Sequence, residues 1–291
     1  MIGRTRRALE IALLIAFAVV TVSAASVNGS PPPAPPADPD RWCAAASAAD
    51  QPDVVSAPLI HVVYAVPADV ADRSSERALP ILVDLAAIQR WWRSQDATRD
   101  LRLDVEDVPC DTALGRVDLS VAILPRDSAY YGDGPAGFER LTGAVVAAGL
   151  SAGNKKYLIY YDGPVQARDV CGTSVGGPPL TRGASVVYLD SLCGGDLGRA
   201  GEAAATAVHE LLHNLGARPR LHPCAGSPAH VCDSPADILY PTVENGVALA
   251  RLRLDVGNDD YYGFKTNAAH WWDVRDSPYL EQLGTSRDRR R

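Results

Sequence analysis

Between residues 59 and 189, short runs of β-branched and aromatic residues alternate with longer segments of helical periodicity. That alternation restricts the chain to few folds. Residues 59–66 (LIHVVYAV) read as a buried strand, and 77–94 as a helix with Leu79, Leu82, Val83, Ala86 and Arg90 at helical spacing. Strands follow at 101–108, 117–124, 157–161 and 184–189, with a helix over 135–150 and a Gly- and Pro-rich loop over 163–183. Strands separated by helices predict an α/β fold, a mostly parallel twisted sheet with helices packed on it. After Gly216 the regular pattern fades, which predicts a smaller, irregular C-terminal lobe over about 217–286, behind an upper lobe over about 41–216.

The first residues read as a targeting segment outside that fold. Arg4, Arg6 and Arg7 precede an apolar run over 11–22, and Val22-Ser23-Ala24 fits a small-residue cleavage site. A run of this length is short for a membrane span, which needs about 20 residues. A signal peptide over 1–24 and a secreted product are expected, an uncleaved anchor being the alternative. Residues 25–40 form a Pro-rich linker, with SPPPAPPADP at 30–39. The basic run at 287–291 reads as a solvated tail. Removing residues 1–24 leaves 25 basic and 34 acidic residues, a net charge near −9. Such a surface lacks the basic footprint of a nucleic-acid binder. Six cysteines in an exported chain predict disulfides, and proximity favours Cys224–Cys232 and Cys171–Cys193, leaving Cys43–Cys110.

The segment AVHELLHNLGARPRLHPC, residues 207–224, holds three of the six histidines. It continues an Ala-rich helix over 199–215 whose Ala204, Val208, Leu211 and Leu215 form an apolar stripe. His209 and His213 are four apart, so both imidazoles project from one side of that helix, as two ligands of one zinc ion require. Glu210 then stands beside an open coordination position, where it can take a proton from a water made acidic by the metal. Gly216 can adopt the left-handed turn that ends the helix.

His209-Glu210-Leu-Leu-His213-Asn-Leu-Gly216 resembles the H-E-x-x-H-x-x-G core of the metzincin zinc endopeptidases. The resemblance implies a zincin-like upper lobe, one catalytic Zn2+, Glu210 as catalytic base and an extracellular protein or peptide substrate. Two positions depart from the pattern. The family's third ligand falls on Pro219, which cannot ligate; His222, three residues later, is the expected replacement, with His230 as its rival and Asp233 as a weaker oxygen donor. Residues 237–241 (DILYP) resemble the family's Met-turn, with Leu239 where methionine would stand and Tyr240 beside it. Leu matches Met in volume and polarity, so the floor of the site is expected to be intact.

Other features carry less. The acidic turn over 255–262 lacks EF-hand spacing, so a solvated turn is favoured over calcium. Trp91-Trp92 and Trp271-Trp272 read as packing pairs, and His61 and His270 as structural. A thermolysin-like third ligand would have to be Glu244 or Glu281, and Glu244 follows Pro241 in a turn-like stretch. The non-enzymatic alternative is an exported binding or scaffold protein with a structural or vestigial zinc. A closed site with both His222 and His230 bound would favour it, and an open coordination position would oppose it.

Overall fold

All nine residues of strand β2, Leu59–Pro67, are buried, because this strand lies inside a sheet covered on both faces. The computed structural model describes residues 17–23, 43, 46–110, 112–132, 134–175, 183–244, 247–264 and 272–284. In chain order the elements are β1 Phe17–Ser23, β2, α1 Ser74–Gln95, β3 Arg99–Leu101, β4 Leu119–Leu124, α2 Ser128–Tyr131 and α3 Gly134–Ala147. These are followed by β5 Lys155–Tyr161, β6 Val170–Val175, β7 Gly183–Tyr188, α4 Glu202–Asn214, β8 Pro223–Cys224, β9 Ser227–Val231, β10 Thr242–Glu244 and β11 Leu280–Gln282.

The main sheet has the order β10-β1-β6-β7-β5-β2-β4. Strands β4, β2, β5 and β7 run parallel. Strand β6 is antiparallel to β7 and to β1. Alternating side chains divide the core: Ile60, Val62, Tyr64 and Val66 pack with α1 and α4, while Val63 and Ala65 pack with α3 through Phe138, Leu141 and Val145. The expected mostly parallel α/β sheet is thus present.

Two local expectations change. The stretch 101–108 is not one strand: Arg99–Leu101 pairs antiparallel with β11, and beyond it only isolated bridges form, Ile60 to Leu103 and Val105 to Val117. The Gly- and Pro-rich stretch 163–183 contains a strand, β6, whose Gly172 and Ser174 gave little β signal. Residues 17–23, expected to belong to a removable leader, form β1 between β6 and β10. The rest of that leader, the linker at 25–40, His270, Trp271 and the tail at 287–291 lie outside the described residues.

The disulfides are Cys43–Cys110, Cys171–Cys193 and Cys224–Cys232, as proximity suggested, and they fit an oxidising, extracytoplasmic setting. Among the described residues, no helix is long and apolar enough to cross a membrane. Trp91 and Trp92 meet edge-on, and the Trp91 indole donates to the Leu252 carbonyl, a packing role.

Buried charge is gathered at the start of β5. Lys155 Nζ lies 2.5 Å from Asp50, 2.5 Å from Asp53 and 2.6 Å from Asp104. His61, also buried, bonds Asp104 Oδ2 at 2.8 Å and Ser120 Oγ at 2.9 Å, which makes it structural as expected. Lys155→Ala would strand these carboxylates, and losing one partner of a buried ion cluster costs about 3–5 kcal/mol. Chemical denaturation should show that loss.

Candidate metal centre

Helix α4 carries two of the site's histidines, and its position is set from both ends. At its start, the Asp196 carboxylate accepts the amides of Glu202 and Ala203, two of the donors a helix leaves without partners. Asp84 of α1 accepts from Gly198 and Ala200, clamping the preceding turn. Burial raises the Asp84 carboxyl to about 7, against the opposing pull of those amides. At the far end Gly216 takes φ 94°, the left-handed turn its sequence position predicts.

Along its length α4 is pinned to the sheet. Ser185 Oγ donates to the Glu210 carbonyl, Asn214 Nδ2 donates to Ser185 Oγ, and Lys156 Nζ donates to the Asn214 carbonyl. A Cβ on Gly172 of β6 would stand 2.7 Å from Glu210 Cγ and 2.7 Å from Thr206 Cγ2. Glycine at this position therefore lets Glu210 lie directly against β6.

The imidazoles of His209, His213 and His230 meet in the interior. Nε2 of His209 is 3.0 Å from Nε2 of His213 and 3.2 Å from Nε2 of His230. His209 Nδ1 donates to the Ile238 carbonyl at 2.7 Å, which leaves Nε2 with its lone pair. His230 Nδ1 is paired with Ser227 Oγ at 2.7 Å. Burial, reinforced for His209 and His213 by the neighbouring rings, pushes both well below the usual histidine range; burial also lowers His230, to about 4. The three rings are therefore neutral.

The Glu210 carboxyl is fully buried, and neither oxygen has a hydrogen-bond partner. Burial raises its pKa well above the ordinary value. An unsatisfied buried carboxyl costs several kcal/mol, and His209 Nε2, with its single lone pair, faces the Nε2 atoms of both other rings and can accept one good hydrogen bond between them. A zinc ion fits this donor set. Its imidazole bonds of about 2.0–2.1 Å place tetrahedral ligand atoms roughly 3.3 Å apart, close to the two separations found.

His222, the preferred third ligand from sequence, stands apart. Its Nδ1 is 2.8 Å from Asp260 Oδ2, its amide donates to Asp260 Oδ1, and 40% of the side chain is exposed. The Asp260 hydrogen bond raises its pKa, opposite to the other three histidines. Asp233 lies 3.9 Å from His222. The rival, His230, joins the pair on α4 instead. Counting positions after Gly216 missed this because the chain first runs out and then returns as the hairpin β8–β9, turned at Gly226 with φ 81° and closed by Cys224–Cys232. The signal was present in the sequence: a glycine two residues after Cys224, within the short interval that ends at Cys232, favours a tight turn there, and His230 lies on the returning arm.

Residues 237–241 form a turn beside His209, whose Nδ1 donates to the Ile238 carbonyl. Asp237 Oδ1 accepts the Leu239 amide and the Tyr261 hydroxyl, its Oδ2 accepts the Val256 amide, and the Tyr240 amide donates to the Asp237 carbonyl. Leu239 is fully buried, and its carbonyl accepts from Val231, tying the turn to the hairpin beside His230. Tyr240 is half-buried in the same turn. The acidic turn is not solvated as expected. Asp255 is buried and accepts the amides of Asp259, Asp260, Tyr261 and Tyr262, so its oxygens already have partners and nothing there supports calcium.

No family model and no curated protein matches the chain. Among solved structures, metalloproteinase-II from Bacteroides fragilis matches with 14% identity over 75% of this chain and 55% of that one, at a TM-score of 0.39. Archaemetzincin from Methanopyrus kandleri matches with 14% identity over 68% and 87%, at 0.34, and OgpA from Akkermansia muciniphila with 18% over 67% and 55%, at 0.35. The chain spans about half the length of the first and third of these. Likeness at this level assigns no activity.

His230→Ala should weaken zinc binding by more than the roughly 10–100-fold that losing an outer-shell partner costs, while His222→Ala should leave it near wild type. Competitive titration with a chromophoric chelator measures both, and equal losses would reject the assignment.

Proposed function

We propose that this protein is an exported, zinc-dependent endopeptidase, with His209, His213 and His230 holding the metal and Glu210 as the catalytic base. The observation that carries the reading is a buried, partnerless carboxyl next in sequence to the first of three converging neutral imidazoles. A purely structural site has no use for that carboxyl. Zinc, when bound, supplies Lewis acidity toward a water and toward the carbonyl oxygen of the scissile peptide.

The protein's own groups do the rest. Glu210 accepts a proton as the water oxygen attacks the carbonyl carbon, and returns it to the amide nitrogen as the C–N bond breaks. The Ile238 carbonyl holds His209 in the tautomer that presents Nε2, and Ser227 orients His230. Tyr240, in the turn beneath the metal position, is assigned to the wall of the site. The substrate is an extracellular protein or peptide, consistent with the disulfides and the acidic surface.

A closed site with both His222 and His230 at the metal would favour the structural-zinc alternative. Among the described residues the cluster holds three histidines, and His222 is committed to Asp260, which favours the open, catalytic form. Glu210→Gln decides between them. It should keep the zinc stoichiometry of wild type while casein cleavage falls by about 10²–10⁴-fold, the usual contribution of a positioned general base. Unchanged cleavage would reject the role of Glu210, and a zinc-loaded wild type that cuts nothing would reject the enzyme.

A further inference from the structure

The main sheet contains one strand that the mature chain is not expected to keep. Strand β1 lies between β6 and β10, antiparallel to the first, with Phe17 opposite Val175 and Val20 opposite Gly172. It runs parallel to the second, with Thr21 opposite Thr242 and Ser23 opposite Glu244. Both neighbours adjoin the metal centre. Gly172 of β6 is the residue against which Glu210 packs. Strand β10 begins at Thr242, next to Pro241 at the end of the turn that supplies the Ile238 carbonyl to His209. Strand β1 also adjoins α4 and β9, the two elements that carry the histidines.

Without residues 17–23, β6 would present an open edge to β10 across a gap one strand wide. Such a slot is lined by main-chain donors and acceptors on both sides, and it recognises an extended peptide by adding it to the sheet. The occupying residues overlap the end of the apolar run expected to direct export, and the Pro-rich residues 30–39 follow. Proline cannot supply the amide donors a central strand needs, so that downstream stretch is no substitute for β1.

We propose that Phe17–Ser23 is an intramolecular occupant of the peptide-binding slot beside the metal centre, holding the uncleaved chain inactive until the segment is withdrawn. This rests on the peptidase reading for its consequence, but not for the binding it describes. An extended peptide then enters the vacated slot antiparallel to β6. Loss of the export segment thereby opens the enzyme, which couples activation to export.

The test uses the full chain, wild type beside Val19→Pro/Val22→Pro, which removes two strand amides. A second form carries a site-specific protease sequence in place of residues 30–39, cut after folding, so that release does not depend on a strand substitution. Each is assayed for casein cleavage, zinc content and binding of a labelled peptide with the sequence FAVVTVS and two added lysines for solubility. A tethered occupant acts at an effective concentration near the millimolar range, so wild type should exclude the peptide, and both opened forms should bind it and cut about tenfold faster or more. Added peptide should return the opened forms toward the wild-type rate. If the opened forms bind no peptide, or if wild type binds it equally well, the occupant does not exist and the inference is overturned, whatever the cleavage assay shows. If the opened forms bind the peptide and hold zinc but cut nothing, the slot and its occupant stand and the peptidase reading fails.

Discussion

The contact between α4 and strand β6 is the constraint on which the site depends. Helix and sheet approach closely where β6 has Gly172, and the space a side chain would fill is taken by Glu210 and Thr206. That approach carries a carboxyl into the interior without giving it a partner. The apolar stripe of α4, with Ala204, Val208, Leu211 and Leu215 fully buried, offsets the cost by removing hydrophobic surface from water. Hydrogen bonds from Ser185 and Lys156 then fix the helix along its axis. A helix held this rigidly delivers His209 and His213 with little orientational freedom, which is what metal affinity and catalysis both require.

The third imidazole arrives by a different device. A hairpin of so few residues is marginal alone, and here the Cys224–Cys232 bridge and the Val231 amide on the Leu239 carbonyl hold it against the 237–241 turn. That turn is organised by Asp237, which gathers two amides and the Tyr261 hydroxyl. Asp260 complements it by taking His222 out of competition, binding its ring and amide together. His222 and His230 are thus sorted by their partners, one held partly exposed on the buried Asp260 carboxylate and one turned into the interior.

Much of this was legible in the sequence where a local rule suffices. The alternation of strands and helices pointed to the sheet, the four-residue spacing put His209 and His213 on one side of α4, and Gly216 ends it with positive φ. The disulfide pairing followed from proximity. What local rules could not supply was long-range return. Strand β6 is hidden in a Gly- and Ser-containing stretch because its partners, β7 and β1, determine its conformation, not its own propensity. The choice of His230 over His222 depends on where a hairpin folds back, and on an aspartate 38 residues away in sequence that claims the competitor.

The leader shows the same limit more sharply. An apolar run after arginines has a well-understood reading as an export signal, and nothing in that pattern states that the same residues can complete a sheet. Yet β-branched, apolar residues are also what a central strand needs, and Phe17–Ser23 (FAVVTVS) satisfies both demands. Pairing through the main chain is indifferent to side-chain identity, so a slot built to take diverse extended substrates necessarily accepts a segment of its own chain when that segment is tethered nearby. In the proposed slot, specificity would come from which peptide is present at high local concentration, and in the uncleaved chain that peptide is the protein's own.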